Sequence, residues 1–79
     1  MDTVVEHWFN RRYRAARRDV YLCRDSFGWF VRARTGGPDG SEVTHTFADA
    51  DAARAMVEQL KKRVPPGQDD WVLITSSRR

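Results

Sequence analysis

The stretch GWFVRART, residues 28–35, decides the fold, because its side chains alternate as they do in a half-buried β-strand. Successive residues of a strand point to opposite faces of a sheet. The face expected to meet the core carries Trp29, Val31 and Ala33. The opposite face carries Phe30, Arg32 and Arg34. The function depends on whether this second face binds a partner or is only the solvated side of a small sheet.

The sequence around this stretch predicts three more strands and a helix. The other predicted strands are residues 19–24, 42–47 and 71–75. A loop with three Gly and one Pro at 35–41 joins two of the strands as a hairpin. A helix is predicted at 49–64, because Asp49 is a favourable N-cap and a Pro-Pro-Gly sequence stops the helix.

The N-terminal segment, residues 1–18, is predicted to form a basic amphipathic helix. Thr3 and Glu6 have the spacing of a capping box, and apolar residues then recur at helical intervals. The opposite side of this helix carries a stripe of His7, Arg11, Arg14 and Arg18. Such a stripe can neutralise a phosphate backbone, although cations also complement the C-terminal end of a helix.

The predicted fold is a single α+β domain over residues 1–79, with the order α-β-β-β-α-β. Its body is a small antiparallel sheet packed by a helix, residues 19–75, and residues 76–79 form a frayed tail. The last strand is expected at a sheet edge, either parallel to strand 19–24 or paired with a second subunit. Because a 79-residue chain has a thin core, we expect a homodimer.

The composition indicates a cytoplasmic protein with no membrane role. The chain has one Cys, begins without a secretory signal, and has no apolar run long enough to cross a bilayer. Its net charge of +3 is uneven, since residues 11–18 hold five Arg and residues 39–51 hold four acids with no Lys or Arg. This asymmetry indicates an anionic partner, although a GC-rich genome also explains many Arg residues.

Catalysis, metal binding and cofactors are not expected. Cys23 and His45 are the candidate nucleophile and base, but strand alternation places them on opposite faces of the sheet. One Cys and two distant His do not provide the spacing of a zinc site. The loop at 35–41 joins two strands, whereas phosphate loops lead into a helix. We therefore expect a non-enzymatic protein.

Two basic surfaces in one short chain favour nucleic-acid binding. Arginine side chains of a sheet can grip phosphates or read guanine, and aromatic rings such as those of Phe30 or Tyr21 can stack on bases. The predicted nucleic-acid-binding residues are Arg11, Arg14, Arg18, Phe30, Arg32, Arg34 and Thr44. A sheet with one solvated face has the same polar pattern, so this alternative stays open.

The pattern GWFVRART…HTFADADAARAMVEQL, within residues 19–63, resembles the three-stranded sheet plus helix of phage-integrase arm-binding and AP2-type DNA-binding domains. This resemblance implies that outward residues of the sheet enter the major groove. The matching positions are Phe30, Arg32, Arg34 and Thr44. The order over residues 3–63 also resembles a double-stranded RNA-binding domain, but Asp49 and Asp51 stand where that family has phosphate-binding Lys residues.

The leading hypothesis is a small nucleic-acid-binding regulator of bacterial or phage origin. The alternative is a protein–protein interaction or dimerisation module with no nucleic-acid role. Strand 71–75 supports this alternative, because it is apolar on both faces.

Overall fold

The computed structural model describes residues 3–36, 40–67 and 70–76, which form one antiparallel sheet and one α-helix. The predicted α+β class is therefore confirmed. The elements are β1 (Thr3–Phe9), β2 (Arg18–Asp25), β3 (Gly28–Thr35), β4 (Ser41–Phe47), α1 (Ala50–Lys62) and β5 (Val72–Ser76). The loop residues 37–39 and the tail residues 77–79 lie outside the described residues.

The sheet has five strands in the order β4-β3-β2-β1-β5, and every neighbouring pair is antiparallel. The pairings of β3 with β2 and with β4 run without a register shift, so the alternation of GWFVRART is kept over the whole strand. A short turn joins β2 to β3. In it the Asp25 carboxylate accepts hydrogen bonds from the backbone N–H groups of Phe27 and Gly28, at 2.8 and 3.0 Å.

Helix α1 packs across β2, β3 and β4 on one face of the sheet. Its N-cap is Asp49, as predicted, whose side chain accepts a 2.8 Å hydrogen bond from the backbone N–H of Ala52. The buried core between the helix and the sheet consists of Val20, Leu22, Val31, Ala53 and Val57. In the described part of the chain, no helix is both long and apolar enough to span a membrane.

The predicted N-terminal helix is wrong: residues 3–9 form strand β1, and only residues 14–16 form a single 3-10 turn. The β-branched and aromatic residues of TVVEHWF suit a strand, and β1 pairs with β2 on one side and β5 on the other. Glu6 does not close a capping box. Its carboxylate accepts hydrogen bonds from Trp8 at 3.0 Å and from Arg54 at 2.8 Å.

The last strand lies at a sheet edge, as predicted, but its neighbour and its direction differ from the parallel placement considered above. Strand β5 pairs antiparallel with β1, with Phe9 opposite Val72 and Trp8 opposite Leu73. The position beside β2 is occupied by β1, so β5 adds outside it. The predicted placement of β5 beside β2 is therefore wrong for the same reason as the predicted N-terminal helix: residues 3–9 form a strand that takes this position.

Two leucines allow a matched test of this core. Leu22 is fully buried under α1, whereas Leu73 on the edge strand is 45% exposed. We expect Leu22→Ala to lower the free energy of unfolding by about 2–5 kcal/mol, because it leaves a cavity in the core. Leu73→Ala removes the same atoms and should cost less than half as much. Urea denaturation of both variants measures the difference, and equal losses would contradict the described packing.

Candidate nucleic-acid interface

The face of the sheet opposite α1, here called the open face, contains four of the predicted binding residues. The strand register places Tyr21 opposite Arg32, Arg32 opposite Thr44, and Phe30 opposite Cys23. The predicted residues brought together on this face are Phe30, Arg32, Arg34 and Thr44. Among the described residues, α1 is the only helix longer than one turn, and it lies on the other side.

The two arginines of the open face differ in their surroundings. The guanidinium carbon of Arg32 lies 4.9 Å from the ring centroid of Tyr21, and its Nε is buried without a hydrogen-bond partner. Arg34 forms no ion pair with any described residue, although Glu42 is its cross-strand neighbour on β4. Both guanidinium groups therefore keep donors that no carboxylate of the described chain satisfies.

A buried carboxylate organises the other half of the open face. Asp19 is 2% exposed and binds His7 Nε2 at 2.7 Å and Arg17 Nε at 2.8 Å. Burial opposes the charged form of Asp19, but the hydrogen bonds from Arg17 and His7 outweigh it and lower the pKa of this carboxyl group. The His7 ring in turn stacks on Tyr21 with a centroid distance of 4.2 Å. Burial raises the pKa of the Tyr21 hydroxyl.

The segment NRRYRAAR, residues 10–17, connects β1 to β2 and is here called the arginine loop. Asn10 is fully buried: its Oδ1 accepts from the backbone N–H groups of Arg12 and Arg18, and its Nδ2 donates to the carbonyl of Ala16. Arg11 and Arg14 have φ values of 60° and 58°, a left-handed conformation uncommon outside glycine. The buried amide thus fixes a loop whose two left-handed residues are both arginines.

The arginine loop adjoins the basic end of the open face. The backbone N–H of Gly36, just after β3, donates a 2.8 Å hydrogen bond to the carbonyl of Arg17, and Arg34 lies opposite Asp19. Arg11 and Arg14 are exposed and form no ion pair with any part of the chain that the structure describes. The arginine loop and the open face therefore each contribute two arginines without an ion pair, Arg11 and Arg14 from the loop and Arg32 and Arg34 from the face.

The predicted stripe along an N-terminal helix is not formed, because that segment is not a helix. His7 belongs to the open face, whereas Arg11 and Arg14 belong to the arginine loop. Arg18 is opposite Thr35 on the α1 side of the sheet. There it lines a cavity of about 130 Å³ together with Leu60, Arg63, Val64 and Trp71. Strand alternation therefore places the Arg18 side chain on the opposite side of the sheet from those of Arg32 and Arg34.

Alternation along the strands also fixes the positions of the candidate catalytic groups. Cys23 is opposite Phe30 on the open face and His45 is opposite Val31 on the α1 face, so the two lie on opposite sides of the sheet, as expected. Within the described ranges no group of three or more His, Cys, Asp or Glu residues is arranged to hold a metal ion.

The sequence did not reveal the network of Arg17, Asp19 and His7. Its one local signal is the i, i+2 spacing of Arg17 and Asp19, which places both on one side of an extended chain. The third member comes from β1, which pairs Phe9 with Asp19 and His7 with Tyr21. That contact becomes visible only when the N-terminal segment is known to be a strand.

Comparison with known proteins adds no family to this geometry. No protein-family model matches the chain, and no curated protein or solved structure gives a match.

The lowered pKa of Asp19 leads to a prediction about acid stability. This carboxylate stabilises the folded protein above its unfolded pKa of about 3.9, and the contribution is lost as the pH falls through the folded-state pKa. We expect Asp19→Asn to lower the free energy of unfolding by about 2 kcal/mol at neutral pH, because two charged hydrogen bonds are weakened. The difference from the wild type should shrink below about pH 3.9.

The matched control for this prediction is Glu42→Gln, which removes an exposed carboxylate with no ion pair among the described residues. Urea denaturation at neutral and acid pH compares the two variants with the wild type. The assigned network would be contradicted if the loss of unfolding free energy in Asp19→Asn did not depend on pH. It would also be contradicted if that loss were no larger than the loss in Glu42→Gln.

Proposed function

We propose that this chain is a small non-enzymatic nucleic-acid-binding protein, acting in the cytoplasm as a regulator of bacterial or phage type. One observation carries the proposal. Arg32 and Arg34 on the open face, and Arg11 and Arg14 in the arginine loop, form no ion pair with any described carboxylate. Guanidinium groups with free donors are suited to forked contacts with phosphate oxygens.

The surrounding charges support binding more than simple solvation. A face that is only solvated needs polar side chains, and its cations can be paired with carboxylates of the same chain. On this face the buried acid, Asp19, is already engaged by Arg17 and His7. Glu42 is the acid opposite Arg34, and it is not within 4.0 Å of that guanidinium group. The positive charge of Arg32 and Arg34 is therefore left for an external anion.

The arginine loop extends this surface at one end. In the proposed complex Arg11 and Arg14 neutralise backbone phosphates, while Arg32, Arg34 and Thr44 contact the nucleic acid from the sheet. Arg18 has no part in this model, because it lies on the α1 side. The affinity is expected to fall steeply with salt, since each phosphate contact releases counterions.

Replacement of the sheet arginines tests the proposal. We expect Arg32→Ala with Arg34→Ala to weaken binding to nucleic acid at least tenfold at low salt. We also expect the slope of log affinity against log salt to fall by about one for each lost phosphate contact. Fluorescence anisotropy with labelled single-stranded and duplex probes measures both quantities.

The control is Lys62→Ala with Arg63→Ala, which removes the same charge from exposed positions at the end of α1. This control should weaken binding much less than the sheet variant. Absence of binding by the wild type, or equal effects of the two double variants, would count against a nucleic-acid role for the open face.

A second candidate function is homodimerisation through β5. This strand is an edge of the described sheet, and its Leu73 and Ile74 are 45% and 51% exposed. An unpaired strand edge is a template for pairing with another chain. The sequence VLITS carries no charge, so pairing with a second copy would bring no like charges together. A dimer formed through β5 is compatible with nucleic-acid binding. If the chain does not bind nucleic acid, the same dimer makes it a protein–protein interaction module.

Sedimentation equilibrium tests this second candidate. The wild type should be dimeric at micromolar concentration, and Ile74→Lys should be monomeric, because an edge lysine opposes strand pairing. Val43→Lys is the matched control, since Val43 is 54% exposed on the other edge strand, β4. A monomeric wild type, or a dimer that only Val43→Lys disrupts, would exclude β5 as the interface.

A further inference from the structure

We propose that the ligand is a single strand with an unpaired base stacked on Tyr13, which rests on the nucleic-acid function proposed above. The open face and the arginine loop then have different tasks. The face supplies guanidinium groups for the backbone, and the loop supplies the aromatic ring for a base. Two described aromatic residues are largely exposed, Tyr13 at 69% and Phe27 at 95%. Phe27 lies in the β2–β3 turn, at the opposite end of β2 from the arginine loop, so Tyr13 is the exposed ring that lies among the loop arginines.

The aromatic rings of the open face are already occupied. Tyr21 on β2 lies between His7 on β1, stacked at 4.2 Å, and Arg32 on β3, at 4.9 Å. Tyr21 therefore already has a ring neighbour from one adjacent strand and a guanidinium neighbour from the other, and it is only partly exposed. Phe30 is 9% exposed and offers little area to a ligand. Both predicted stacking residues therefore offer less accessible surface than Tyr13 does.

Phe9, the third ring on this face, is covered in the same way. The Arg17 guanidinium carbon lies 4.7 Å from its centroid, and the Phe9 and Tyr13 rings form a T-shaped contact at 5.7 Å with an interplanar angle of 66°. This contact holds the Tyr13 ring beside Phe9. The Tyr13 residue remains 69% exposed, so its ring has the free surface that base stacking needs.

Tyr13 is held in place before any ligand arrives. Its carbonyl accepts a hydrogen bond from the backbone N–H of Ala16, and the loop around it is closed by the buried Asn10 side chain. Arg11, two residues before Tyr13, and Arg14, directly after it, are exposed and left-handed. An accessible ring flanked by free guanidinium groups combines the two elements with which proteins bind single strands, namely stacking and phosphate neutralisation.

The width of the sheet disfavours the groove-binding mode that the resemblance to integrase and AP2-type domains implies. Five strands at their usual spacing make a face about 19 Å across. The major groove of DNA is about 12 Å wide and admits a helix or a two-stranded ribbon. A duplex also keeps its bases stacked on one another, whereas a single strand presents free base surfaces to a ring such as that of Tyr13.

Fluorescence anisotropy with a mixed-sequence single-stranded oligonucleotide and its hairpin duplex tests the inference. The wild type should bind the single strand more tightly than the hairpin at equal salt. Tyr13→Ala should weaken single-strand binding on the order of tenfold, whereas Tyr13→Phe, which keeps the stacking ring, should stay close to the wild type. Neither change should alter the salt slope, because no phosphate contact is removed.

Failure of this inference can be distinguished from failure of the proposed function. If binding depends on Arg32 and Arg34 but Tyr13→Ala matches the wild type, or if the hairpin binds more tightly, the single-strand inference is overturned and the nucleic-acid function stands. If the wild type binds neither probe, both fall. Circular dichroism of Tyr13→Ala confirms that the exposed position was changed without loss of the fold.

Discussion

One helix can cover only one face of this sheet, and most features of the molecule follow from that constraint. Val20, Leu22 and Val31 are buried because α1 lies over them. The opposite face has no helix of more than one turn among the described residues, yet Asp19 and Cys23 on it are almost fully buried. Side chains of the open face therefore cover one another. The stack of His7, Tyr21 and Arg32 across three strands replaces a second layer.

The central part of the fold was predictable because its alternation is uninterrupted. Strand β3 pairs with both neighbours without a register shift, so the side on which Arg32 and Arg34 lie could be predicted from residue order alone. The helix α1 was equally accessible, since its cap at Asp49 and its apolar stripe are local signals. Each of these predictions needs only the properties of neighbouring residues.

The N-terminal segment was not predictable for a physical reason. A bulge between Val4 and Glu6 interrupts the alternation of β1, so the period of two is lost over a strand of seven residues. The remaining apolar residues happen to fit helical spacing as well. What decides the outcome is tertiary: β1 gains backbone partners on both sides, from β2 and β5. The arginine loop follows from the same fact, because Asn10 can close it only between two paired strands.

The use of the carboxylates explains why the candidate site is basic in a chain with a net charge of only +3. The described acids that form ion pairs bind groups other than Arg11, Arg14, Arg32 and Arg34. Asp19 binds Arg17 and His7, and Glu6 binds Arg54. Asp70 and Glu58 likewise pair with Arg12 and Lys61. Arg11, Arg14, Arg32 and Arg34 are therefore left without a carboxylate partner among the described residues, as are Arg18, Arg24 and Arg63 elsewhere in the fold. The local field, rather than the total charge, is what an approaching polyanion meets.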